Sequence, residues 1–171
     1  MKPFIGLKKI WYGNPLTAAP KSLTDVEALV EDMTPVENVH EGTWSYTQDD
    51  PSVTDYVNML TGQPYYRDVT NGGNKTIAFT MGQYEFDDLV ALQGGEKVGS
   101  DGWAAGQPQL YYKAVIAQTK TGNYIVFSNA GIIAKTNAAE QNLGLGVTAV
   151  AMDSNTAGVA AEYRFKAADN A

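Results

Sequence analysis

The side chains best suited to nucleophile–base and zinc chemistry are scarce in this chain. His40 is the only histidine, so a nucleophile–base triad or a dedicated zinc site would have to run through it. It lies in the stretch 39–48, where His40, Gly42, Trp44 and Tyr46 alternate with Glu41, Thr43, Ser45 and Thr47. That is strand spacing, and a histidine sharing a face with two aromatic rings reads as a packed or surface residue. Gly144-Leu145-Gly146-Val147-Thr148-Ala149 spells the dinucleotide fingerprint G-x-G-x-x-G/A. The fingerprint has to follow a buried strand and open a helix; here Asn142 precedes it and a β pattern follows, so it reads as a strand with small residues where another backbone comes close. Asp153-Ser154-Asn155-Thr156-Ala157-Gly158 begins like a calcium loop, but Ala157 lacks a ligand oxygen and Arg164 stands where the bidentate glutamate belongs. It is expected to be a turn. Asp49-Asp50 and Asp87-Asp88 could supply acid–base pairs, yet adjacent residues on a helix point in different directions; carboxylates distant in sequence remain available for a glycosidase pair. Asn74-Lys75-Thr76 is a glycosylation sequon by spelling alone. There is no cysteine, which removes disulfides, thiolate nucleophiles and Cys-ligated metals. The expectation is a protein without catalytic residues, cofactor or metal, and not an enzyme.

Length and composition fit such a scaffold. A chain of 171 residues, 44% apolar and 18% charged, is expected to fold as one domain spanning 1–171. The N-terminal Phe4–Leu7 run is too short for a secretory signal, so a cytoplasmic chain is expected. No uncharged apolar stretch approaches the roughly 20 residues of a membrane helix. The net charge of −7 disfavours a duplex nucleic-acid binder, which needs cations for the phosphates. Between Ser22 and Tyr66 there are nine of the 19 acids and no Lys or Arg; all twelve bases lie outside it and, against the other ten acids, leave +2. Such a segment is either solvated surface or a surface that repels phosphate or steers a basic partner.

The elements follow from periodicity. Ile5 to Tyr12 reads as an opening strand stopped at Gly13-Asn14-Pro15. Thr24-Asp25-Val26-Glu27 fits a capping box, and Val26, Leu29, Val30 and Met33 at helical spacing predict a short helix ending near Thr34-Pro35. After the strand at 39–48, the stretch from Gln48 to Pro64 reads as a long loop or an extended hairpin arm. Its candidate contact residues are Asp49, Asp50, Tyr56, Val57, Met59 and Leu60. Tyr65–Thr70 and Lys75–Met81 flank Asn71-Gly72-Gly73-Asn74, which predicts a hairpin. Phe86, Leu89, Val90 and Leu92 followed by Gly94-Gly95 predict a second helix closed by a left-handed glycine. A loop to Pro108 leads to strands at 110–119, 123–127, 131–136, 143–152 and 159–165. The fold class expected is mainly β: an antiparallel sandwich or barrel with one flanking helix and a second short one.

Two segments carry a resemblance. Asn71-Gly72-Gly73-Asn74-Lys75-Thr76-Ile77-Ala78-Phe79-Thr80-Met81-Gly82 leads to Tyr84-Glu85-Phe86-Asp87-Asp88-Leu89-Val90-Ala91-Leu92-Gln93-Gly94-Gly95, and Gly122-Asn123-Tyr124-Ile125-Val126-Phe127-Ser128-Asn129-Ala130-Gly131-Ile132-Ile133-Ala134 leads to the β run from Leu143 to Phe165. Over residues 65 to 166 this order resembles the major tail tube proteins of long-tailed phages, which are similar to type VI secretion tube proteins. The resemblance implies a virion tail protein, made in the bacterial cytoplasm, whose copies form rings, commonly hexameric, that stack into a tube. Its partners would be other copies of itself and tail proteins such as a tape-measure or terminator protein. DNA would pass through the channel without specific binding. The stacking contact is placed in the 48–64 arm, with an ordinary mobile loop as the alternative. Phe4, Ile5, Trp11 and Tyr12 are assigned to a core strand. Eighteen of 171 residues are aromatic, so a carbohydrate-binding or adhesin-type sandwich is a second reading, and a baseplate, neck or decoration protein a third.

Overall fold

Strand β10, Tyr124–Ala139, organises the molecule in this computed structural model, which describes residues 1–168. The sequence suggests two strands here, at 123–127 and 131–136, because Ser128-Asn129 interrupts the apolar alternation. The structure joins them through a bulge at these two residues. Along one edge β10 pairs antiparallel with β9, Tyr111–Gln118. Its other edge is divided: Tyr124–Phe127 pair with β12, Glu162–Phe165, while Ala130–Ala139 pair with β11, Asn142–Ala151. The bulge makes the changeover. Ser128 N donates to Ala161 O at 3.1 Å, and Asn129 O accepts from Met152 N at 2.8 Å. The runs at 143–152 and 159–165, expected as successive paired strands, therefore both lie against β10 and not against each other. The full sheet runs β2 (Thr34–Pro35), β1 (Lys9–Gly13), β9, β10, β11, β6 (Lys75–Met81), β3 (Ser45–Gln48), with β12 branching from β10.

Both faces of the β1–β9–β10 region are buried, which explains its nearly continuous apolar sequence. Ile10, Tyr12, Val115, Ala117, Ile125 and Phe127 point into a core shared with Ile77, Phe79, Met81, Leu145 and Val147 of β6 and β11. The sheet thus folds over on itself in a sandwich-like, mainly β arrangement. On the opposite face Trp11, Ala114, Ile116 and Val126 meet Val26 of helix α1, Leu23–Glu31. The cap of α1 is Ser22 and not Thr24. Ser22 Oγ accepts from Asp25 N at 3.2 Å and Asp25 Oδ2 accepts from Ser22 N at 3.0 Å, so the box lies two residues earlier than read. The second helix, α2 at Phe86–Leu92, packs Leu89 and Leu92 into the core and ends as expected, with Gly94 at φ +97° and its N–H on Leu89 O. Asp88 holds it in place, accepting from Glu85 N at 3.0 Å and from the Tyr12 hydroxyl at 2.6 Å. Burial first, then this carboxylate, hold the Tyr12 phenol far above its ordinary pKa. Asp87 points elsewhere, to Lys97 at 2.8 Å. Lys97 belongs to β7, Glu96–Val98, which pairs with β8, Gly102–Ala104, within the glycine-rich stretch expected to be a loop.

Two further departures have local causes. The opening strand covers only Lys9–Gly13; Trp11 and Tyr12 are buried in it, Phe4 packs against the core from outside it, and Ile5 is exposed. The strand expected from Val39 begins only at Ser45, because Gly42 turns at φ +77° and side chains replace the ladder: Thr43 Oγ1 accepts from Thr80 N at 3.0 Å while His40 N donates to Thr80 O at 2.8 Å.

The open side of the fold is tied by charge. Glu162, whose side chain is 5% exposed, accepts from Lys75 at 2.5 Å, Arg164 at 2.7 Å and the Tyr46 hydroxyl at 3.1 Å, joining β12 to β6 and β3. Burial pushes this carboxyl's pKa up, but Lys75 and Arg164 outweigh it and the net shift is downward. Among the described residues no helix is long and apolar enough to cross a membrane.

Two stability predictions follow from this packing. Leu89→Ala should cost the isolated protomer about 2–5 kcal/mol, read from denaturant unfolding. Glu162→Gln should cost about 1.5–3 kcal/mol, the range for hydrogen bonds to a charged group. Because the folded pKa of Glu162 lies below its unfolded value, its contribution is present above the ordinary carboxylate range and is lost as pH falls through the folded pKa. The gap between wild type and Glu162→Gln should therefore close in acid.

Candidate self-assembly surface

Residues 45–81 form one long hairpin interrupted at its waist. Its lower part is β3 paired with β6 in the sheet; its upper part is β4, Ser52–Val57, paired with β5, Pro64–Asn71, outside the sheet. This corrects the hairpin expected between 65–70 and 75–81: β5 pairs with β4 and β6 with β3 and β11. Asn71-Gly72-Gly73-Asn74 is the waist and not the tip. Asp49 N donates to Asn74 O at 2.9 Å, Gly73 N donates to Asn71 Oδ1 at 2.9 Å, and Gly73, at φ +77°, lies so close to the Asp49 carbonyl that a Cβ has no room. Asp49-Asp50-Pro51 ends the ladder on the other strand, since Pro51 has no N–H to donate.

The sequence of the upper part is strand-like, rich in β-branched and aromatic residues on either side of Thr61-Gly62. Its tip is ordered by Asn58, whose N donates to Gln63 O, whose Oδ1 accepts from Leu60 N and whose carbonyl accepts from Gly62 N. One face pairs Tyr56 with Tyr66, ring centroids 5.7 Å apart and tilted by 43°. The other pairs Val53 with Val69 and Asp55 with Arg67, whose Nε and Nη2 reach the carboxylate at 2.5 and 2.8 Å. The Arg67 hydrogen bonds hold the Asp55 carboxyl below the usual range.

Every residue of β4 and β5 is exposed. At the tip Met59 is 98% and Leu60 94% exposed. A two-stranded hairpin is at best marginally stable alone in water, and neighbouring apolar side chains open to solvent are a common feature of contact surfaces. Among the described residues the hydrogen bonds and the ion pair of the arm are internal, and both of its strands are open to solvent.

Of the contact residues expected from sequence, the arm gathers Tyr56, Val57, Met59 and Leu60 toward its outer end. Asp49 and Asp50 lie at the waist, away from the tip. Sequence reasoning passed over Val53 within the arm, and missed Tyr65, Tyr66 and Val69 because it ended the arm at Pro64; the Thr61-Gly62 turn between two β-rich runs was the available signal. The uncovered outer face of β9, β10, β11, β6 and β3 carries Tyr112, Ile133, Lys135, Thr148, Ala78 and Ser45, and no acidic residue among its strand positions. The acids of the one-signed segment lie instead on α1 and its C-cap, on the 36–44 loop, at the waist and on β4.

The residues first considered for chemistry take structural places. His40 is half-buried, with Nε2 3.6 Å from Glu140 at the tip of the β10–β11 hairpin. Gly144 and Gly146 lie within β11, where a Cβ on Gly144 would meet Thr80 and the Met81 carbonyl at 2.7 and 3.0 Å. Asp153–Gly158 is a turn, with the Asp153 carbonyl taken by Asn129 Nδ2 at 2.9 Å. Among the described residues no three His, Asp or Glu side chains are grouped to hold a metal. In comparisons with known proteins, no family model and no curated protein matches the chain.

Hydrogen exchange tests the exposure of the arm. In dilute protein the amides of Ser52–Asn71 should exchange at least about a hundredfold faster than those at the centre of β10. Equal protection would mean that the arm is already covered.

Proposed function

We propose that this chain is a non-enzymatic structural subunit that assembles with copies of itself into the stacked rings of a phage-type tail tube. The observation that carries the reading is the ordered arm at 52–71, whose apolar side chains are uncovered on both faces and at the tip. An element of that kind is complete only against another molecule, and in a self-assembling tube that molecule is a sister subunit. The sandwich-like β body with its flanking helices agrees with the resemblance noted above. A carbohydrate-binding reading fares less well, because Tyr56 and Tyr66 meet at 43° instead of forming a flat platform. The net charge of −7 per subunit suits a channel through which DNA passes without sticking. Tape-measure or terminator proteins are the expected tail partners.

The test is Met59→Ser with Leu60→Ser. Both side chains are solvent-exposed in the protomer, so its melting temperature should stay within about 1 °C of wild type, in line with the small effects of surface changes. Rings and tubes, seen for the wild type by negative-stain microscopy at high protein concentration, should disappear. Tubes of normal length from the double variant would overturn the assignment of the contact to the arm tip.

A further inference from the structure

The body carries a cleft whose chemistry matches the arm. It measures about 270 Å³ and lies where the segment 103–109 crosses β10, between Trp103, Pro108, Gln109, Ile133, Lys135 and the end of α2 at Gln93. A cavity of about 150 Å³ takes a benzene ring, so this one has room for a leucine or methionine side chain. The Trp103 indole is fixed by donating to Gly94 O at 2.9 Å, so the wall is preformed. Ile133 is 62% exposed at the mouth, and beyond it Leu110, Tyr112 and Met152 continue an exposed apolar strip around Gly131.

Two further features specify the occupant. Among the described residues the only charged one lining the cleft is Lys135, in a protein of net charge −7. The arm, residues 52–71, carries Asp55 and Asp68 against Arg67, a net −1, and Asp49 and Asp50 at its waist add two further negative charges. Gln93 Oε1 is buried with no hydrogen-bond partner among the described residues, and a buried acceptor left unpaired is costly. Met59 N–H takes no part in the hydrogen bonds of the arm's own turn, so the tip brings a free donor next to its two apolar side chains.

We infer that the cleft at Gln93, Trp103, Ile133 and Lys135 receives the Met59-Leu60 tip of a second copy of this chain, with the arm lying along the Leu110–Tyr112–Met152 strip. The inference rests on the self-assembly reading and supplies its missing half, the receptor. Such a contact is heterologous, with different patches on the two partners, so each subunit gives one arm and accepts another and the series does not close on a pair. A second apolar groove of comparable size lies along α1, between Ala18, Ala28 and Leu29, but it is rimmed by Asp25 and Asp32. An acidic arm is repelled there.

The absence of cysteine makes the test direct. Leu60→Cys/Ile133→Cys, Leu60→Cys/Leu29→Cys and each single variant are assembled at high concentration, checked by microscopy, oxidised and run on a non-reducing gel. The 60/133 pair should give a ladder of covalent multimers, whereas the single variants stop at dimers and the 60/29 pair gives no ladder. Lys135→Glu, at an exposed position, should also raise the protein concentration needed for tubes about tenfold, the factor corresponding to ~1.4 kcal/mol. Tubes in which 60/133 does not ladder, in which 60/29 does, or whose threshold ignores Lys135→Glu would overturn the cleft while leaving self-assembly standing. A wild-type chain that stays monomeric at every concentration would overturn both.

Discussion

The bulge at Ser128-Asn129 is the constraint on which the body depends. A sixteen-residue strand with uniform pairing would need one equally long neighbour on each edge. By leaving two residues unpaired to β9, β10 turns its second edge over from β12 to β11. The inward side chains stay in phase across the change, with Phe127 and Ala130 both in the same core. One strand thereby serves both halves of the fold, and the outer face passes from α1 below the bulge to open sheet above it. Bulges bend and twist the strand that contains them, which accords with a sheet that folds over its own core.

The rest of the body is fastened by a few polar ties placed where the sheet itself offers none. Asp88 links the start of α2 to Tyr12 of β1, and Glu162 links β12 to β6 and β3 through two cations and a phenol. Asn123 does the same for the chain's outer segments: its Nδ2 donates to the Lys2 and Pro3 carbonyls and its Oδ1 accepts from Ala167 N at 2.8 Å. Each of these groups is wholly or partly buried and multiply bonded, the condition under which buried polar groups are tolerated. The arm is organised on the opposite plan, with one surface ion pair, one tilted aromatic pair and an asparagine-ordered tip, all facing solvent.

How much of this was legible in the sequence depends on the range of the interactions. Period and punctuation located both helices, and Gly94 closes α2 because a left-handed residue is needed there. Most strands were likewise found from alternation. Pairing was not legible, since 143–152 and 159–165 look like consecutive partners until the bulge in β10 gives each its own length of edge. The cap of α1 was displaced by two residues because S-x-x-D and T-x-x-E overlap in the same segment. In the arm, Asn71-Gly72-Gly73-Asn74 has the composition of a tip, and only the closeness of Gly73 to Asp49 shows it to be a waist. That misreading hid Tyr65, Tyr66 and Val69, so half of the candidate site was found and half was not.

The internal bonding of the arm also separates two tasks that most proteins entangle. Among the described residues, none of 52–71 belongs to the core clusters, and no core residue takes part in the arm's own hydrogen bonds. On the proposed self-assembly reading, substitutions in β4, the tip or β5 would therefore alter the contact without passing through the filter of foldability. If the arm is the connector proposed above, the chain is modular: a fixed chassis bearing an exchangeable piece, whose recognition would be free to diverge faster than the architecture that displays it.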